Sequence, residues 1–320
     1  MNIKYVYILC LLFFFSSKTT VAQDSIVDLR SCLAIALRNN ASLQQNQLSV
    51  QRANIDYKQA RANGLPSLNA DLSHSLSQGR EIDPTTNQFI DENNSFGSQG
   101  LNARWQVFNG FGILHDVRMK AHAKTAGKLE FGGQENELRL AVIEAYVQVL
   151  TAKDMKEQAQ RQLAVTAEQL RRAEVMFKEG AFPPGDFYDI KGQFKTDENM
   201  VLTQAQQLYA NRTRLAALMQ LPESELGTLQ PIDMPVQVQE HDALALFEQA
   251  KSVLPKYQAL DWRIKEAAQQ IKVAQANYYP SLAIHAGLSS RYSSSSADSY
   301  FNQSKNNLGK SLGFTLNIPI

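Results

Sequence analysis

Ala60-Arg61-Ala62-Asn63-Gly64-Leu65-Pro66-Ser67-Leu68 returns late in the chain as Ala274-Gln275-Ala276-Asn277-Tyr278-Tyr279-Pro280-Ser281-Leu282. In both copies a helical pattern runs into the shared Asn, breaks before the Pro, and restarts as alternation of apolar and polar residues. Proline fixes its own φ and biases the residue before it away from helix, so the helix has to end there. One supersecondary unit, helix then turn then strand, is used twice, and each copy must solve the same burial problem.

Four segments alternate with period two, the signature of a strand with two unlike faces. Leu68, Ala70, Leu72 and Leu76 stand against Ser67, Asn69, Asp71, Ser73, Ser75 and Ser77. Leu101, Ala103, Trp105 and Val107 stand against Asn102, Arg104 and Gln106. Leu282, Ile284, Ala286 and Leu288 oppose Ser281, His285 and Ser289, and Leu312, Phe314, Leu316, Ile318 and Ile320 oppose Ser311, Thr315 and Asn317. Each run has about the length of a membrane-crossing strand, ~9–11 residues. The polar sides hold charged groups and many Ser and Asn, which a water-filled lumen tolerates and a packed core does not. This predicts Leu68, Leu72, Trp105, Val107, Leu282, Ile284, Phe314 and Leu316 toward lipid, and Asn69, Asp71, Asn102, Arg104, His285 and Asn317 toward a lumen. Polar loops over 78–98 and 293–307 join the strands into hairpins. The competing account of the strands alone is a soluble β-sandwich with one solvated face.

Between the hairpins lies a stretch no sandwich has. Residues 112–179 contain no proline and are rich in helix formers. At ~1.5 Å per residue one helix there would be on the order of 100 Å long. Val142, Val149, Leu163, Leu170 and Phe177 fall seven apart, interrupted by Lys156, with Ala145, Ala152, Ala159, Thr166 and Ala173 three positions further on. Small residues on one seam position let a neighbouring helix approach closely. The helix is expected to break at Gly180-Ala181-Phe182-Pro183-Pro184-Gly185, with Asp186 capping the next helix. The returning helix carries Phe187, Phe194, Val201, Leu208 and Leu215, beside a second row, Ile190, Asp197, Gln204, Asn211 and Leu218, that is polar in the middle. The pair is an antiparallel helical hairpin. Further helices are expected over 28–63 and 242–277.

The predicted organisation is a signal peptide over 1–22, a first repeat over 23–222 (helix, β-hairpin 66–108, helical hairpin 112–221), a linker over 223–240, and an incomplete second repeat over 241–320 with its β-hairpin at 280–320. By analogy with Phe108-Asn109-Gly110 after Val107, another turn and helical hairpin are expected beyond Ile320. Lys4, the apolar run from Tyr5 to Phe15 and Val21-Ala22 before Gln23 make the secretory signal. Removing Lys4 and Lys18 with no acid takes the net charge from +1 to −1, which argues against nucleic acid as a partner. Cys10 leaves with the signal, so Cys32 stands alone and no internal disulfide is available.

A four-stranded sheet cannot close on itself, and open strand edges are not tolerated in lipid. Four strands must therefore be multiplied by subunits, and a cyclic trimer would give roughly 12, above the smallest transmembrane barrels of about eight. The expected fold is mainly α with a four-stranded β contribution. A long antiparallel coiled-coil hairpin, part of an α-barrel, joins transmembrane β-hairpins that complete a barrel only as a trimer.

The chain resembles the TolC-type outer membrane efflux protein family from Asp24 to Ile320. The carrying features are the two-fold repeat, the Ala-x-Ala-x-x-x-Pro-Ser-Leu pattern and Trp105-Gln106-Val107-Phe108-Asn109-Gly110-Phe111-Gly112. Tyr146 within Glu144-Ala145-Tyr146-Val147-Gln148-Val149-Leu150, and Phe177-Lys178-Glu179-Gly180 followed by Asp186-Phe187, add to them. The resemblance implies a homotrimeric conduit in the outer membrane of a Gram-negative bacterium with a large periplasmic part. It implies a periplasmic adaptor docked on the tip, Gly180 to Asp186, and through the adaptor an inner-membrane pump. Pro183 stands where the family has Ser or Thr, which removes a hydrogen-bonding group, stiffens the turn and bears on adaptor choice.

An enzyme reading fails to find a site. Gly110-Phe111-Gly112 lacks the third glycine of a dinucleotide loop, with His115 in its place, and follows a half-polar strand. His115 and His122 lie seven apart rather than at the four-residue spacing of a helical metal pair. Solvated or lumen-facing positions are expected for all five histidines, and no cofactor, metal or catalytic group is assigned. The remaining alternative is a periplasmic coiled-coil scaffold or adaptor without a pore; the four lipid-length strands separate the two.

Overall fold

The computed structural model describes residues 26–82, 87–91, 93–232 and 242–320. The expected secretory signal therefore lies outside the described residues, as does most of the linker's second half. In chain order the elements are β1 (Ile26–Val27), α1 (Leu29–Asn39), α2 (Ala41–Ala62), β2 (Ser67–Ser77), β3 (Arg80–Ile82), β4 (Phe89–Asp91), β5 (Asn94–Asn109), α3 (Gly112–Lys178) and α4 (Pro184–Met219). They continue with a 3-10 turn (Glu223–Glu225), β6 (Thr228–Leu229), α5 (Ala243–Val253), α6 (Pro255–Gln275), a 3-10 turn (Ala276–Tyr278), β7 (Ser281–Ser293), α7 (Tyr300–Asn306) and β8 (Gly309–Asn317).

Two stretches of the chain, from α1 to β2 and from α5 to β7, follow the same order of helix, helix and strand. Asp28 caps α1 by accepting from the Ser31 amide at 3.0 Å, and Asp242 caps α5 by accepting from the Leu244 amide at 3.1 Å. Both caps satisfy an orphan N–H of the first turn. Each expected long helix is in fact two. The first breaks at Asn40, whose side chain accepts from the Leu43 amide at 3.1 Å, and the second at Leu254, extended ahead of Pro255. Prolines 66 and 280 then stand directly before β2 and β7, as the opening motif requires.

The chain divides into two compact units. The first, residues up to 44 and 134–240, is built on the helical hairpin of α3 and α4. Its core is Cys32 and Ala36 of α1, Val142, Ala145, Tyr146 and Val149 of α3, Leu215 and Met219 of α4, and Leu226 and Leu229 beyond them. Burial pushes the Cys32 thiol up to about 11, so it stays protonated and acts as a small apolar filler. The segment expected as a linker is partly structured: β6 pairs in parallel with β1, Ile26 with Thr228 and Val27 with Leu229. Tyr146, fully buried, donates its hydroxyl to the Gln230 carbonyl at 2.6 Å, with the Val27 carbonyl 3.2 Å away. Arg212 adds an ion pair to Glu223 at 2.5 Å and donates to the carbonyls of Leu226 and Gly227. These contacts explain why residues 223–232 are not loose.

The second unit, residues 45–133 and 241–320, holds the sheet. Its strands run in the order β2-β5-β7-β8, all antiparallel, so the two hairpins of the two repeats join through β5 and β7. A bulge at Val107 shifts the β5–β7 register between Gln106 and Phe108. The expected hairpin loops carry structure of their own: β3 pairs with β4 in the first, and α7 occupies the second. In α2, α3 and α6 of this unit the most deeply buried apolar residues are alanines, Ala60, Ala126 and Ala259. Arg263 of α6 forks onto Glu130 of α3 at 2.8 and 2.7 Å and holds that carboxyl below the usual range.

The turn from β5 into α3 leaves no room. Gly110 has φ 63°, and a Cβ there would sit 2.5 Å from the Ala276 carbonyl oxygen and 2.7 Å from the Tyr279 Cβ. Gly127, inside α3, has nothing within 4 Å. Gly110→Ala is expected to cost about 1–2 kcal/mol for the left-handed backbone alone, with the overlap added. Gly127→Ala should instead stabilise by about 0.5–1 kcal/mol through helix propensity. Thermal unfolding followed by circular dichroism should move the two midpoints in opposite directions.

Candidate functional site

Two regions are built for more than holding the chain together: the tip of the helical hairpin and the two-faced sheet. At the tip, α3 ends in a Schellman closure. The Ala181 amide donates to the Met176 carbonyl at 2.9 Å and the Gly180 amide to the Phe177 carbonyl at 3.0 Å, with Gly180 at φ 73°. Glycine takes this left-handed position without a Cβ penalty. Pro183, not Asp186, is the N-cap of α4, and it makes no side-chain capping bond. The reason is that Pro184 already has the φ that the first helical position needs. That starts the helix early and leaves Asp186 in its first turn, where the helix dipole still favours a carboxylate. Ala181, Pro183, Pro184, Gly185 and Asp186 are exposed and Phe182 is half-buried.

A stack of two rings fixes the tip. Phe177 and Phe187 face each other with centroids 4.5 Å apart and planes 7° from parallel, and Tyr188 meets Phe187 edge-on at 5.3 Å. Phe187 is 8% exposed whereas Tyr188 is 61% exposed, so the first is the buckle and the second is presented outward beside the turn. Away from the tip the seam is polar where its residues are. Asp197, 8% exposed, accepts from the Thr166 hydroxyl and from Gln193 Nε2 at 2.8 Å. Asn211 donates to the Gln148 carbonyl at 3.2 Å. Both are cross-helix register contacts rather than a site for a solute. A double-mutant cycle on Phe177→Ala and Phe187→Ala, read by hydrogen exchange in the hairpin tip, should return a coupling of about 0.5–1.5 kcal/mol.

In the sheet, the register decides which side chains share a face, because cross-strand partners point the same way. Asn69 pairs with Asn102, Asp71 with Gly100, Arg104 with Ser67 and His285, and Asn317 with Ser281. All six residues expected on one polar face are on one face. Leu68 pairs with Ala103, Trp105 with Ile284 and Ile284 with Phe314, Leu282 with Leu316, and Leu72 with Gln99, so the apolar set shares the other. Val107 sits in the bulge and is 42% exposed. The polar face is hydrogen-bonded within itself: Asn102 Nδ2 donates to Asp71 at 2.8 Å, and the Ser73 and Ser98 hydroxyls meet at 2.7 Å.

Of the described histidines in this unit, His285 lies exposed on the polar face, and three others meet neighbouring side chains. His115 bonds Gln269 at 3.0 Å and His122 packs on Trp262 at 5.3 Å, both tying α3 to α6. His74 falls on the apolar face, stacked on Tyr292 at 6.4 Å. Among the described residues no group of His, Cys, Asp and Glu could hold a metal ion. Among them, too, no helix is long and apolar enough to cross a membrane. Sequence reasoning missed the Phe177–Phe187 buckle, although both residues lie on the predicted seam. The signal was their position at the last turn of one helix and the first turn of the next.

No curated protein sequence matches the chain. Among solved structures it matches CusC with a TM-score of 0.73 at 18% identity, over 92% of this chain and 66% of that one. It matches VceC from Vibrio cholerae with a TM-score of 0.71 at 19% identity, over 91% of this chain and 68% of VceC. CmeC from Campylobacter jejuni gives a TM-score of 0.75 at 15% identity, over 91% of this chain and 61% of CmeC. The chain thus spans about two thirds of the length of these structures, and the likeness is one of fold. Residues 33–220, more than half of the 320, match the model of a single sequence family. The chain belongs to the outer membrane efflux protein family.

Proposed function

We propose that this protein is the outer-membrane conduit of a tripartite efflux or secretion system, with three copies closing one barrel. The observation that carries the reading is the register. It sorts an apolar set and a hydrogen-bonded polar set onto opposite faces of one sheet, while β2 and β8 each pair on one side only. A sheet with an apolar outside, a wet inside and two open edges is stable in lipid only when the edges meet other strands. Three such sheets give roughly 12 strands, within the range of membrane barrels. Fold relatives support the same reading: one is described through transmembrane channel formation, and CmeC is named an outer membrane channel.

In this reading the conduit performs no chemistry. Leu68, Leu72, Trp105, Val107, Leu282, Ile284, Phe314 and Leu316 face lipid, and the polar face lines water. The tip from Gly180 to Asp186 is the docking point for a periplasmic adaptor, which links the channel to an inner-membrane pump. Its exposed Pro183 and Pro184 form a rigid, apolar turn with few donors, and Tyr188 stands beside it with an aromatic face. A rigid turn loses little conformational freedom on docking, which favours association.

The test is membrane fractionation of the protein produced from its native gene in a Gram-negative host, with gel mobility compared before and after boiling. An outer-membrane species that runs as a trimer unboiled and as a monomer boiled is expected. A soluble periplasmic monomer would overturn the channel and return the pore-free scaffold. Tyr188→Ala should leave the trimer intact and reduce adaptor co-purification by roughly 10-fold, as truncating an aromatic anchor commonly does.

A further inference from the structure

We infer that Arg104 forms a cationic belt on the lumen side of the barrel, which makes its β-barrel section favour anionic solutes. The inference rests on the channel reading above and adds a solute class to it. Arg104 and His285 are direct cross-strand partners on β5 and β7. Partners in an antiparallel pair bring their Cβ atoms to ~4.5–5.5 Å, so the two side chains stand at one height along the strands. Three subunits would place three such guanidinium groups at that height.

The surroundings leave this charge uncompensated. On the polar face the four strands carry four ionisable side chains: Asp71 on β2, Arg104 on β5, and His285 and Arg291 on β7. β8 carries none on that face from Gly309 to Asn317. Asp71, the single acid, is engaged by Asn102 at 2.8 Å rather than by Arg104. Among the described residues no carboxylate pairs with Arg104, which is exposed. The imidazole has a place made for it. It lies over Gly313, where a Cβ would be 2.6 Å from Nε2 and 2.9 Å from Cε1. Gly313 is thus the residue that lets the ring rest across β8, on the side of β7 away from β5, which leaves the exposed Arg104 uncovered.

A guanidinium is a permanent cation. In a water-filled barrel a ring of like charge raises the local concentration of counter-ions, and the effect weakens with salt. Anionic solutes are therefore favoured, most strongly at low ionic strength.

The experiment is a reversal-potential measurement on the purified trimer from the native gene, in planar bilayers with a KCl gradient, at low and at high ionic strength. The chloride-to-potassium permeability ratio is expected to lie above one and to fall as salt rises. Arg104→Ser should lower the ratio, with Arg104→Lys restoring it. A conducting Arg104→Ser trimer with an unchanged ratio overturns the inference and leaves the channel standing. An unmodified protein with no conductance at all overturns the channel reading itself. If Arg104→Ser fails to assemble, Arg104→Gln takes its place, and a ratio at or below one in the unmodified trimer overturns the inference in either case.

Discussion

In the conduit we propose, everything in the sheet depends on one constraint, that backbone N–H and C=O groups facing hydrocarbon must be paired within the protein. β5 and β7 are paired on both sides and satisfy it; β2 and β8 are not. Their outer edges are the feature a solitary chain cannot resolve, and no side-chain substitution on either face would resolve it. The same constraint explains the run lengths. β2 and β5 are 11 and 16 residues long, at or beyond what a tilted strand needs to cross hydrocarbon. It also explains why the polar face binds itself through Asn102–Asp71 and Ser73–Ser98, since side-chain pairs across strands fix the register on which both faces depend.

The same order of elements occurs twice, and the two stretches are not equal in detail. Asp28 and Asp242 open the repeats with the same cap. The helical stretch behind each cap breaks by different means, through a capping Asn40 in one and through Pro255 in the other. Both devices do the same thing: they end one helix in an extended residue and supply the next with a ready first turn. The junctions then meet, because Gly110 after the first strand pair fits against Ala276 and Tyr279 ahead of the third strand. Two copies of one unit pack back on each other at the place where glycine is indispensable.

Much of this was legible in the residues alone. Period-two alternation placed all four strands, and within them the apolar and polar sets it separates fall on opposite sides of the observed register outside the bulge at Val107, while Ile318 and Ile320 lie beyond β8. The 67-residue helix was legible because nothing in it breaks a helix. The illegible parts depended on contacts distant in sequence. Thr228-Leu229 is too short for any periodic signal, and it becomes a strand only because Ile26-Val27 lies beside it and Tyr146 ties Gln230 down. The break at Asn40 was readable in principle, since Asn followed by Ala-Ser is a capping pattern, but residues 28–63 contain no proline or glycine to mark it. Asp186 reads as a cap because acids favour that position; the proline pair moved the helix start three residues back. At the candidate tip, then, residue type was read correctly and backbone preorganisation was underestimated.

The helical hairpin shows why polar seam residues are an asset in a long two-helix contact. A seam of small and aliphatic residues repeating every seven positions can slide by a heptad at little cost, because each position resembles the next. Thr166 with Asp197 favours one register, since a slip of seven would set the nearly buried carboxylate against Ala159 or Ala173 and leave it only Gln193 of its own helix. The Phe177–Phe187 stack fixes the far end and Tyr146 with Arg212 fixes the base. Between those anchors the hairpin covers only one stripe of each helix. Leu140, Val147, Met155 and Val165 of α3, and Leu202 and Tyr209 of α4, remain exposed at 40% or more. A helix pair pinned internally by polar contacts can leave these apolar side chains to a neighbouring helix without losing its own register. In a closed ring of hairpins, that division of labour lets each subunit keep its shape while its flanks are covered by the next.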